Sequence, residues 1–308
     1  MPGIVRFADT AGTVRVGLRD EAGGIRELDG VGRVADLLRL PLRQLRQRLD
    51  SRGGGATHHR AGVTPLPPVD GDTEVWASGV TYERSRQARG EESDSDDLYD
   101  RVYTASRPEL FFKSVSWRVV TEGEPIAVRA DSRLDVPEPE LAVVCNVHGE
   151  IVGYTVCNDV SSRSIEGENA LYLPQAKVYA GSCALADAIV PAWHVGNLAD
   201  QRIRMTVWRG GDQAYRGEVA LAALRRDPAR LVGYLFGGQP FPEGAVLATG
   251  TGIVPGMDFT LTEGDTVEID VSAVGTLSNP VVRGAEAMAW LTEARERPTA
   301  RPVAPRER

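Results

Sequence analysis

Lysine is nearly missing from this chain. Of 35 basic residues, only Lys113 and Lys177 are lysines. Arginine therefore serves wherever a generic surface cation is wanted. A lysine that persists in such a background is expected where a compact ammonium is needed. Cysteine is scarce as well: Cys145, Cys157 and Cys183 form an odd set without C-x-x-C spacing. That pattern suggests neither a disulfide framework nor a zinc site. The four histidines, at 58, 59, 148 and 194, match no catalytic or metal-binding pattern. No apolar run approaches the ~20 residues of a membrane span. The start, Met-Pro-Gly-Ile-Val-Arg, has no apolar signal segment. Positive charge is not in excess, and a net charge of -8 argues against nucleic acid as a partner. What is left is an ordinary globular composition, 42% hydrophobic and 25% charged, with the cytoplasm as the expected location.

The chain reads as two unequal parts. Residues 4–18 alternate as a short hairpin, and Val34 to Leu49 has helical spacing divided by Pro41. Arg52-Gly-Gly-Gly-Ala56 and Thr64-Pro-Leu-Pro-Pro68 mark a connection, so residues 1–70 are predicted as a small α/β N-terminal domain. Residues 71–295 are predicted as the main domain, opening with a buried strand near Glu74–Val80. Strand-like segments and Gly/Pro turns dominate from 110 to 280, and residues 218–236 are the best helical candidate. The Pro/Arg-rich residues 296–308 are predicted as a disordered tail. Residues 84–101 are strongly polar and read as a solvated helix or loop. Their alternative role is a lid that brings Arg84 or Arg86 to an anionic substrate.

Glu138-Pro-Glu140 and Asp159 carry the most chemistry. Residues two apart on a strand point to one face, so Glu138 and Glu140 project side by side. The apolar runs Leu141–Val147 and Ile151–Cys157 flank His148-Gly149, which reads as a two-residue hairpin turn. That register sets Asp159 opposite Glu138 on the same face, although a bulge would turn it away. An isolated Glu-x-Glu is usually a solvated strand face. Here Pro137 and Pro139 indicate a strand start at a rim, and Asp159 closes a strongly apolar strand. Three carboxylates this close repel unless a cation sits among them. A hard divalent ion is the natural filling: Mg²⁺, with Mn²⁺ or Ca²⁺ able to take the same ligands. Nearby, Asn158-Asp159-Val-Ser161 opens a polar loop, and Glu166 and Glu168 follow as acid/base candidates. Thr249-Gly250-Thr251-Gly252 is a turn whose N–H groups suit a carboxylate.

Together these stretches resemble the fumarylacetoacetate hydrolase family over roughly residues 72–290. The resemblance rests on Pro137-Glu-Pro-Glu-Leu141, Gly153-Tyr-Thr-Val-Cys-Asn-Asp-Val-Ser161, Thr249-Gly-Thr-Gly252 and Leu261-Thr-Glu-Gly-Asp-Thr-Val-Glu-Ile269 through Gly275-Thr-Leu-Ser-Asn-Pro280. It implies an α+β fold, a mixed β-roll with a smaller N-terminal domain, and a homodimer or dimer of dimers. It also implies Glu138, Glu140 and Asp159 as ligands of Mg²⁺ or Ca²⁺. Within the family the chain is most similar to the 2-keto-3-deoxy sugar-acid dehydratases. The shared features are Gly79-Val-Thr-Tyr82, Arg107-Pro-Glu109-Leu-Phe-Phe-Lys113, and Glu166-Gly-Glu-Asn169 leading to Leu171-Tyr-Leu-Pro-Gln-Ala-Lys177-Val-Tyr179. That likeness places Glu109 and Lys177 in the pocket.

The implied reaction removes water from a 2-keto-3-deoxy sugar acid, such as a pentonate, through a metal-bound enolate. Glu109 is expected to move protons, and Lys177 to pair with the substrate carboxylate or the enolate. Tyr82, Arg84, Phe112, Ser161, Gly250 and Thr251 are expected to contact the 2-keto acid. The alternatives are acylpyruvate C–C hydrolysis or oxaloacetate decarboxylation on the same fold, or a silent keto-acid-binding relative. The family's C–C hydrolases activate water with a His–Glu pair on a lid, and the lid region here has no histidine.

Overall fold

A computed structural model describes residues 2–51, 55–92 and 96–302. The glycine link at 52–54, part of the acidic segment at 93–95, and the end of the tail at 303–308 lie outside these residues. Two large sheets face each other. The larger has 12 strands, and its centre runs in the order Gly3–Ala8, Ala188–Pro191, Ile151–Asp159, Pro139–Cys145, Ala245–Ala248, Glu74–Gly79, Glu109–Val115. The second has five strands: Asp212–Ala220, Arg202–Arg209, Thr266–Val271, Gly275–Arg283 and Ile126–Val128. Pairing is mostly antiparallel, with parallel exceptions at Ala245–Ala248 beside Glu74–Gly79 and at Gly275–Arg283 beside Ile126–Val128. This is the mixed α+β architecture expected.

The central strands are buried on both faces, which is why they read as nearly continuous apolar runs. Strand alternation divides their side chains cleanly. Leu141, Val143 and Cys145 pack with Ile203, Met205, Val267 and Ile269 of the second sheet. Ala142, Val144 and Cys157 face the other way, onto Ile4, Leu37, Leu38 and Leu45 of the N-terminal segment. Glu138 and Glu140 share the parity of Ala142 and Val144, so they continue that second face at the strand's start. The first 70 residues are joined to the rest through the sheet itself, because Ile4 pairs with Ile189 and Val5 with Ala188.

The hairpin that carries the carboxylates reaches the expected register by a different route. Its loop has three residues, Val147-His148-Gly149, closed by Asn146 N–H donating to Glu150 O at 3.1 Å, with Gly149 at φ +72°. Alone, that loop would misalign the strands by one. The pairing shifts again between Val144 and Cys145, where Val152 bulges out of the opposing strand. The two irregularities cancel: Pro139 pairs with Asn158, Glu140 with Cys157, and Asp159 N–H donates to Glu138 O at 2.9 Å.

Pro41 divides the first helical segment into Val34–Leu38 and Leu42–Asp50. The helix expected over 218–236 is confined to Pro228–Phe236. Asp227 caps it, accepting from Ala229 N at 2.8 Å, and Pro228 suits the first turn but no later position. Residues up to 220 belong instead to the Asp212–Ala220 strand. Residues 296–302 of the tail have a defined structure. Helix Trp290–Glu296 leads to a 3-10 turn at Pro298–Ala300, and buried Arg301 donates to Glu124 Oε2 at 2.6 Å while lying over Trp290.

Candidate active site

The strand ends bring carboxylate oxygens of Glu138, Glu140 and Asp159 within 4.8 Å of one another, all three residues being buried. Gly250 N–H donates to Glu140 Oε2 at 2.6 Å. Only glycine fits there: φ is +93°, and a Cβ would meet Thr81 Oγ1 at 2.0 Å. The N–H expected to hold a substrate carboxylate thus holds a carboxylate of the protein.

Both lysines of the chain converge on this cluster, and neither side chain is more than 1% exposed. Lys177, closing the short helix Leu173–Lys177, donates from Nζ to Glu138 Oε2 at 2.6 Å, Ser161 Oγ at 2.5 Å and Asp159 Oδ2 at 3.2 Å. Lys113 Nζ pairs with Asp159 Oδ1 at 2.5 Å and donates to Val160 O at 3.1 Å and Lys177 O at 2.5 Å. Three carboxylates and two ammonium groups leave one negative charge uncompensated, and the carboxyls respond unequally. Burial, then the charges of Asp159 and Glu138, push Glu140 well above the ordinary range. Burial alone would raise Asp159, but Lys113 and then Lys177 outweigh it and hold Asp159 below its usual value.

This donor set fits a divalent cation. Every ligand is a carboxylate oxygen, hard and anionic, and no sulfur or imidazole belongs to the cluster. A monoanionic keto acid would then balance the charge left by a doubly charged ion.

Two cavities meet at the site. The inner cleft has room for about 20 Å³ and is lined by the triad with Lys177, Phe111 and Gly250, among others. Ser85 and Ala88 of helix Glu83–Glu92 form part of its wall. The outer cavity, about 670 Å³, is mostly apolar and holds Glu109 and Glu166. The two share a wall: Gly79 lines the inner cleft, and a Cβ on it would meet Glu109 Oε2 at 2.1 Å. Val80, beside it, takes φ +52°, a strained conformation for a β-branched residue. Glu166 is buried while Glu168 is exposed, so the structure separates two residues the sequence left equivalent.

The remaining candidates divide. Ser161 and Thr251 are at the site, but Thr251 Oγ1 donates to Pro139 O at 3.0 Å. Tyr82 is buried behind the turn, its ring against Gly252, and its hydroxyl has no hydrogen-bond partner among the described residues. Burial, then the Glu140 charge, raises its pKa. Arg84 does not line the inner cleft; its charge acts on Tyr215. Phe112 packs edge-on against Trp76 at 5.9 Å, away from the cleft, and Phe111 takes the place expected of it. Period-two alternation from Glu109 would have identified Phe111. No histidine lines either cavity. His58 pairs with Glu27 at 2.6 Å, and His194 lies against Trp193.

The chain is similar to known proteins. The model of the fumarylacetoacetate (FAA) hydrolase C-terminal family matches residues 74–282. A probable 2-keto-3-deoxyxylonate dehydratase of Haloferax volcanii is 44% identical over 257 residues, 83% of this chain and 88% of that protein. A 2-dehydro-3-deoxy-D-arabinonate dehydratase of Saccharolobus solfataricus is 45% identical over 218 residues, 70% of this chain and 73% of that protein. Among solved structures, a 2-keto-3-deoxy-D-arabinonate dehydratase complexed with magnesium and 2,5-dioxopentanoate superposes with a TM-score of 0.80 at 35% identity. That match covers 92% of this chain and 99% of the other. With its sheet architecture, its carboxylate cluster and these likenesses, the chain belongs to the fumarylacetoacetate hydrolase family.

Proposed function

We propose that this protein is a magnesium-dependent hydro-lyase that removes water from a 2-keto-3-deoxy sugar acid. One observation carries the reading: a buried cluster in which three carboxylates and the two lysines paired with them leave a single formal negative charge for a cation and an anionic substrate to balance. Glu138, Glu140 and Asp159 would hold the ion. When bound, it supplies Lewis-acid polarisation of the keto acid, which acidifies the hydrogens on C3.

The chain's own residues do the rest. Lys177 stands in the inner cleft, placed for the carboxylate and keto end of the substrate. Glu109 stands at the shared wall with its carboxylate against Gly79. From there it takes a proton from C3 and returns one to the C4 hydroxyl as it leaves as water. The outer cavity, with Glu109 and Glu166, receives the hydroxyl-bearing end. The cleft's 20 Å³ holds little more than a water molecule. Helix Glu83–Glu92, whose Ser85 and Ala88 line it, therefore moves aside for entry and shuts out bulk water afterwards. Absence of a histidine from both cavities favours dehydration over hydrolytic cleavage.

The same reading places the enzyme in the cytoplasm, consistent with three free cysteines. A homodimer or dimer of dimers belongs to the same reading and rests on the family likeness. No helix among the described residues is long and apolar enough to cross a membrane.

The test is a product assay by mass spectrometry. Protein stripped with EDTA and reloaded with Mg²⁺ is incubated with 2-keto-3-deoxy pentonates and with acylpyruvates. Loss of one water from a pentonate, giving 2-oxoglutarate semialdehyde, is the expected result. Pyruvate released from an acylpyruvate instead would replace the dehydratase reading with the hydrolase one.

A further inference from the structure

Lys113 lies outside the inner cleft, yet it is built into the site from behind. Strand Glu109–Val115 pairs Ser114 with Val75 and Phe112 with Trp76, so Lys113 is the extra residue of a β-bulge. Alternation along the strand gives Lys113 the face of Glu109 and Phe111. Its wholly buried ammonium reaches three oxygens there. Asp159 closes the Ile151–Asp159 strand, Val160 follows it, and the Lys177 carbonyl ends helix Leu173–Lys177.

The two carboxylate oxygens of Asp159 are divided between the lysines, Oδ1 to Lys113 and Oδ2 to Lys177. A carboxylate held at both oxygens from different directions has a fixed plane. An ammonium aims its three donors from one compact point, whereas a guanidinium spreads its donors in a larger plane, so the two do not fit the same pocket. That accounts for a lysine here in a chain that otherwise uses arginine. We infer that Lys113 is a positioning residue of the metal site, fixing the Asp159 carboxylate and its distance from Lys177. The inference rests on the triad being the metal site.

Charge and positioning predict opposite signs. Were Lys113 only a nearby positive charge, removing it would tighten binding of a cation. Were it only a packing element, removing it would lower stability and leave metal affinity alone. As a positioning residue, its loss weakens binding by about 10–100-fold, the usual effect of losing an outer-shell partner.

The experiment titrates metal-free wild type, Lys113→Met and Lys113→Arg with Mn²⁺, read by calorimetry, with circular dichroism confirming the fold. The expected result is a folded Lys113→Met with Mn²⁺ affinity reduced by that factor, and no rescue by arginine. Unchanged or tighter binding in folded Lys113→Met overturns the inference, as does full rescue by arginine. Should neither variant fold, Lys113→Gln is measured in their place. Failure of all three to fold would make the ammonium a requirement of the fold and likewise overturn the inference. Wild type that binds no Mn²⁺ would remove the metal site itself, an outcome distinct from a silent variant beside a binding wild type.

Discussion

Replacing Glu140 with glutamine should make the metal-free protein more stable and the metal-loaded protein less so. Glu140 is the carboxyl most burdened by its surroundings, raised by burial and by the charges of Asp159 and Glu138. Glutamine has nearly the same shape. Its amide oxygen can accept the Gly250 N–H that now lies 2.6 Å from Glu140. Its NH₂ would face the other two carboxylates as a donor, and hydrogen bonds to charged groups are the stronger kind. A gain of about 1–2 kcal/mol in EDTA is expected, a rise of roughly 2–5 °C in Tm for a chain of this size. The Mg²⁺ response should move oppositely. At a hundred times its Kd a ligand adds about 2.7 kcal/mol, worth about 5 °C or more in wild type. The variant, one ligand short, should lose most of that shift. Differential scanning fluorimetry in EDTA and across a Mg²⁺ series measures both. A variant that melts below wild type in EDTA, yet gains as much from Mg²⁺, would refute the assignment of Glu140 to a strained metal site.

Other perturbations have equally definite outcomes. Glu109→Gln should lower kcat by about 10²–10⁴-fold while leaving Mn²⁺ affinity unchanged; an active variant would return the proton transfers to Glu166. Gly250→Ala puts a Cβ 2.0 Å from Thr81 Oγ1 at φ +93°. It should cost at least ~1–3 kcal/mol in urea denaturation, and near-wild-type stability would show that the turn can relax. Burial pushes the Glu122 carboxyl up to about 7 from 4.5, despite the Ser278 N–H it accepts. Between those values the folded protein keeps a proton that the unfolded chain has released, so stability falls as pH rises through the window. Glu122→Gln should therefore match wild type near pH 4 and exceed it by roughly 2–3 kcal/mol at pH 8; parallel pH curves would exclude the effect.

The carboxylate cluster was legible because strand geometry repeats every two residues, and a short hairpin leaves few registers. The prediction assumed a two-residue turn. The real loop is longer by one, and the Val152 bulge restores the alignment. Neither irregularity has a local sequence mark, since both depend on how the strands pack on their neighbours. Phe111 and Lys113 were both within reach by alternation from Glu109; the oxygens that Lys113 meets were not, because they belong to other parts of the chain, Asp159, Val160 and Lys177. Scarcity drew attention to Lys113; only the fold shows that it holds Asp159. The anchoring of Arg301 had no local mark because its partner, Glu124, lies 177 positions away in the chain.

Lys177 occupies the carboxylate cluster as a built-in counter-ion, and this bears on how the enzyme is made. A zinc finger cannot fold before its metal arrives, and chelators unfold it. This chain brings a cation of its own to the place where the acids repel most. Folding should therefore not wait on the supply of magnesium: the polypeptide is expected to complete its fold first and to take up metal afterwards. Cells short of the ion should accumulate an intact, dormant enzyme, ready to be switched on when the supply returns.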